Sequence, residues 1–165
     1  MADDANPPDL RADEERLAAI AQRLADEVDA VVPRWIERLV VERVGQWRGE
    51  VSADVSADAR LAAEEAGAEV ATRMRALLAT DLDEQRAGPL EVLRAATRHA
   101  HEVLSRLGMP AVVRDEFAER SFPDDAYDLM PATWSDVDPA LHEHGIAWGA
   151  AKAFVHKARR RADRA

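Results

Sequence analysis

The sequence predicts an all-α fold, a single bundle of five to seven helices with a long segment rich in Pro, Asp and aromatic residues (122–139) packed on it. Three observations lead there. Apolar residues recur three and four apart through most of the chain, and no strand-like alternation survives beyond a few positions. Apolar residues make up 47% of the composition, but much of this is Ala and only eight residues are aromatic, which suits helices in close contact. Finally, Asp, Ser, Gly and Pro fall where helices begin and end. With 165 residues the chain fits one domain, and one of about 150 residues can bury roughly two thirds of its unfolded surface. The expected division is a disordered lead-in over residues 1–8, a single helical domain over 9–160 and a basic tail over 161–165.

Asp9 can cap a first helix, in which Leu17, Ile20, Leu24, Val28 and Val31 form one face. Pro33 predicts a break, because an interior proline costs about 3 kcal/mol. A second helix then carries Trp35, Ile36, Leu39, Val40 and Val44, and Gly45 and Gly49 mark its end. Ser52 or Ser56 can cap a third, whose stripe of Val55, Ala59, Ala62, Ala66, Val70, Met74 and Leu77 is mostly small and permits close approach. The next helix opens at Gly88-Pro89, turns Leu90, Leu93, Ala96, Ala100, Val103, Leu104 and Leu107 inward, and closes on Gly108 with Pro110 beyond. Pro110 predicts a short fifth helix with Val113 and Phe117 on one side.

Residues 122–139, FPDDAYDLMPATWSDVDP, hold three prolines, five Asp and three aromatic rings. They cannot form one continuous helix, so the rings are either pinned onto the core or offered to a partner. Thr133 with Asp136, and Ser135 with Asp138, have capping-box spacing and predict a short helical turn near Trp134. From Pro139 the chain reads as helical again, with a break expected at Gly145. Ile146, Trp148, Ala151, Phe154 and Val155 then supply apolar surface. Gly145, Gly149 and Ala153, four apart, suggest tight packing within the monomer or against a second subunit.

The net charge of -10 disfavours nucleic acid as a partner, since phosphate binding rests on a surface of Lys and Arg. Residues 152–165 oppose this trend, with six cations against Asp163; they carry +5, leaving -15 on residues 1–151. Cations at a helix C-terminus suit its dipole. The absence of Cys excludes disulfides and thiolate metal sites. The N-terminal residues lack the apolar core of a signal peptide, and no apolar run is long enough to cross a bilayer, so a cytoplasmic location without membrane contact is expected.

Among the five His, the pairs His99/His101 and His142/His144, with Glu102 and Glu143 nearby, invite a metal-site reading. Residues two apart on a helix point in nearly opposite directions, whereas bundle metal sites use residues three or four apart. The spacing therefore places His101 outward and His99 at the edge of the inner face, as surface or boundary residues, and puts His142 and His144 beside Gly145 at a helix end. No metal or other cofactor is expected. Asp124, Asp125 and Asp128 lack the Gly and terminal Glu of a calcium loop and read as turn residues. No phosphate loop, nucleophile elbow or haem attachment sequence occurs.

Two likenesses follow from these residues. YDLMPATWSDVDPALHEHGIAWGAAKAFVHKARRR, Tyr127 to Arg161, with VVRDEFAERSFPDD upstream, resembles a family of small actinobacterial helical proteins that brings no activity with it. Twenty Arg against two Lys is the bias of a GC-rich bacterial genome. GPLEVLRAATRHAHEVL, Gly88 to Leu104, is similar to a helix of the N-terminal domains of RsbR-type stressosome proteins and PucR-type regulators, a likeness that implies a helical, dimeric, sensory module. The residues favour a non-catalytic interaction or regulatory module, able to form a homodimer or bind a protein partner, with Phe122, Tyr127, Trp134 and Trp148 framing its surface. The rival is a ligand- or metal-binding sensor or enzyme in which His99, His101, His142 and His144 converge.

Overall fold

A computed structural model describes residues 9–79, 88–113 and 122–164. Among them are six helical segments and no strand: α1 (Leu10–Arg48), α2 (Ala53–Ala79), α3 (Pro89–Ala96), α4 (Arg98–Arg106), α5 (Trp134–Val137) and α6 (Ala140–Ala162). α1 is the spine. It packs most extensively along α2 and α6, while α3 and α4 lie against α2 and α5 bridges to α6.

The expected break at Pro33 does not occur, and α1 runs through it for 39 residues. Burial explains why. Val31, Val32, Trp35 and Ile36 flank the proline in the core, and side chains of that size contribute roughly 1.5–3 kcal/mol each on burial, more together than the missing backbone bond costs. The proline ring itself faces Gly67 of α2, where an added Cβ would stand 2.9 Å from Pro33 Cγ. Glycine thus makes room for the ring where the two longest helices meet.

The other ends follow the chemistry of the sequence more closely. Asp9 accepts from Ala12 N at 3.3 Å, and Gly49 closes α1 with φ of +80°. Ser52 rather than Ser56 caps α2, its hydroxyl accepting from Val55 N at 3.3 Å. Pro89 occupies the first turn of α3, and Gly108, with φ of +74°, ends α4. The helix expected from Pro89 to Leu107 is interrupted at Thr97. There the backbone N–H bonds to Arg94 O, three residues back, and the hydroxyl donates to the same carbonyl at 2.7 Å, tightening one turn.

No helix opens at Pro110 within residues 110–113; Val113 is 97% exposed, and the rest of that expected helix, Phe117 included, lies outside the described residues. The lead-in at 1–8 lies outside them as well. α6 continues through Gly145, and through Ala162 into the expected basic tail. Gly145 is a point of contact and no break: a Cβ there would collide with the indole of Trp134. Among the described residues no helix is long and apolar enough to cross a membrane.

Candidate functional site

Residues 122–139 are clasped onto the bundle. With little repeating structure, their main-chain carbonyls need donors from elsewhere, and three arginines supply them. Arg38 Nη2 donates to Val137 O at 3.0 Å, Arg43 Nη2 to Asp128 O at 3.1 Å, and Arg94 Nε to Pro131 O at 2.8 Å. Arg94 also lies over the Phe122 ring, 4.7 Å from its centroid. The Asp125 carboxylate is buried and accepts from Leu129 N at 2.8 Å and Met130 N at 2.7 Å, with His101 Nε2 at 3.0 Å. Tyr127 is buried, stands edge-on to His101, and donates its hydroxyl to Met109 O at 3.1 Å. The Asp136 carboxylate accepts from Ala132 N and Thr133 N, the expected capping-box contact, and Asp138, two residues before α6, accepts from Ala140 N at 2.8 Å.

The proposed surface residues therefore occupy unlike environments. Tyr127 and Trp148 are buried, while Phe122 and Trp134 are half-buried, one under Arg94 and the other against Gly145. The arginines that hold the segment were not singled out in the sequence, since an Arg on a helix face gives no local sign of a carbonyl partner some 40 to 100 residues away.

The histidines do not converge on one point. His99 is only 7% exposed, deeper than its edge position predicts, and its Nε2 meets Glu69 Oε2 at 2.8 Å. His101, expected to point outward into solvent, is instead largely covered by Asp125 and Tyr127 of the clasped segment. His142 pairs through Nδ1 with Ser135 Oγ at 3.1 Å, and His142 and His144 stand in the first two turns of α6, not beside a break at Gly145, because α6 continues through that glycine. Among the described residues no group of three or more His, Asp and Glu side chains is arranged to hold a metal ion.

Glu69 is the most perturbed acid of this region. Its hydrogen bond to His99, aided by Arg98 and Arg73 and opposed by partial burial, lowers its pKa from 4.5 to about 2. A carboxylate depressed in the folded state stabilises fully above its unfolded value, and that contribution disappears as pH falls through about 2. Because Arg98 and Arg73 are about half exposed, solvent screening reduces the contribution to about 1 kcal/mol. Glu69→Gln should accordingly lower stability near pH 6 while leaving it almost unchanged near pH 2. Urea unfolding of both proteins across that range checks this; a gap that stayed constant with pH would contradict it.

A cleft of about 620 Å3 opens between α1, α2 and α6. Leu17, Ala18, Ala21, Ala25, Leu78, Trp148 and Val155 make its walls apolar. Glu14, Gln22, Arg75 and Arg159 line it as well; Arg159 Nε donates to Glu14 Oε1 at 2.8 Å, and Arg75 pairs with Asp29. Lys152 Nζ is 4.7 Å from the centroid of the Trp148 ring, and burial lowers its pKa. The alanines of α1 create this space, since at Ala18, Ala21 and Ala25 no side chain extends beyond Cβ to meet α6. Trp148 was legible as an aromatic contributor to a site, but the alanines were not: in a sequence they look like ordinary helix formers. No family model matches the chain, and no curated protein or solved structure matches it either.

Proposed function

We propose that this chain is a non-catalytic regulatory module that takes up a small amphipathic molecule in the cleft between α1, α2 and α6. The observation that carries the reading is the cleft itself: its volume falls within the roughly 300–1,000 Å3 usual for small-molecule sites, and its lining combines apolar side chains with a few polar and charged ones. The lining cations Arg75 and Arg159 are already paired with acids, so the preferred ligand is mainly apolar with one hydrogen-bonding end, and strong anion selectivity is not expected. The likeness of residues 88–104 to sensory domains supports a regulatory role. On this reading the clasped segment braces α6, which carries Trp148, and is not itself the binding surface.

Calorimetric titration with decanol and decanoate tests the reading. Both should bind the wild-type chain with similar affinity, and Ala18→Trp, at an exposed position on the cleft wall, should weaken binding at least about 10-fold by filling the space without unfolding the bundle. Failure of both probes to bind up to their solubility limits, or an Ala18→Trp protein that binds as well as the wild type, would refute it.

A further inference from the structure

The outer face of α6 carries an apolar stripe. Ile146 and Phe154 are 55% and 57% exposed, and the intervening Ala147, Gly149, Ala150 and Ala153 are exposed too. Two large apolar side chains on a solvent-facing helix surface, separated by residues small enough for another helix to approach, form a docking seam. The order of residues along it shows what fits. Around Ala150 the stripe is self-complementary when read in reverse: Ile146 and Phe154 lie four residues to either side, about 6 Å along the axis, and Glu143 and Lys157 seven residues to either side, about 10 Å.

We infer that this face binds the same face of a second copy, α6 against α6 in antiparallel orientation, with the two-fold axis passing beside Ala150. In that arrangement Ile146 of each copy lies level with Phe154 of the other, and Glu143 level with Lys157. The basic end bearing Arg160 and Arg161 meets the end where Asp138 precedes α6 and accepts from Ala140 N. A parallel pair would set Glu143 against Glu143 and the arginines against one another, so the charges select the antiparallel form. The seam gives the basic C-terminal turn a partner beyond its own helix dipole. One helix per copy makes a small interface, well below the roughly 1,600 Å2 of a standard one, so the dimer is weak, with dissociation in the micromolar range or above. It does not depend on the ligand reading, because Trp148, Val155 and Arg159 line the cleft from the opposite face of α6.

Sedimentation equilibrium of the full chain between about 10 μM and 1 mM reads the association directly. A monomer–dimer equilibrium is expected, weakened at least about 10-fold by Ile146→Glu with Phe154→Glu. These positions are exposed, and circular dichroism should show the helix content unchanged. Glu143→Lys and Lys157→Glu should each weaken the dimer, and the two together should restore it. Since the chain has no Cys, Ala150→Cys offers a second readout, predicted to cross-link rapidly on mild oxidation while Ala68→Cys, exposed on α2, does not. A wild-type chain that stays monomeric at 1 mM, a dimer indifferent to the Ile146 and Phe154 changes, or a charge reversal that fails to restore association would each overturn the inference.

Discussion

Asp125→Ala is expected to destabilise the protein by about 3–5 kcal/mol, a large part of the total stability of a domain this size. The substitution removes one carboxylate and strands three donors, Leu129 N, Met130 N and His101 Nε2. The two amides sit in the stretch that buries Tyr127, Leu129 and Val137, so losing their acceptor loosens apolar contacts as well as polar ones. Asp125→Asn keeps one carbonyl oxygen able to accept and should cost about half as much. Urea unfolding gives the two values, and near-ultraviolet circular dichroism should report the Tyr127 environment as lost in the Ala variant. A change below about 1 kcal/mol for Asp125→Ala would mean that the carboxylate does not hold the segment.

The second large effect comes from a single methyl group. Gly145→Ala should destabilise by about 2 kcal/mol even though Ala is the better helix former by about 1 kcal/mol, because the added Cβ would overlap the rigid indole of Trp134. Gly149, four residues further along the same helix, is the internal control: nothing lies within 4 Å of the position its Cβ would take. Gly149→Ala should therefore stabilise by up to about 1 kcal/mol. Trp134→Leu combined with Gly145→Ala should recover part of the loss, since the smaller side chain vacates the space. Thermal and urea unfolding of the four proteins measure the set, and equal effects at the two glycines would contradict the close approach.

The helical architecture was readable because apolar spacing and end chemistry act locally. Asp9, Ser52, Pro89, Gly108 and the Thr133/Asp136 pair act within one turn of chain, and each does in the structure what its local chemistry implies. Errors arose where a distant partner reverses a local preference. Pro33 reads as a break until Gly67 and the surrounding burial are known, and Gly145 reads as a break until Trp134 is placed upon it. In both cases glycine and a ring face each other across a helix contact, which neither residue discloses alone. Thr97 gave the opposite error, an interruption that the apolar periodicity of residues 89–107 conceals. For the candidate site, Trp148 was visible as a large aromatic residue, but the cleft beside it is a volume left by small residues on α1. That volume depends on the separation of three helices, which no short pattern encodes.

That residues 122–139 form a structural clamp, fastened through Asp125 and bracing the helix that lines the cleft, is tested most directly by amide hydrogen exchange at Leu129 and Met130. Both amides should exchange only on global unfolding in the wild-type protein, and faster by at least about 100-fold in Asp125→Ala. Exchange in the wild-type protein at the rate of an open loop would contradict the clamp, whatever the stability of the bundle beneath it.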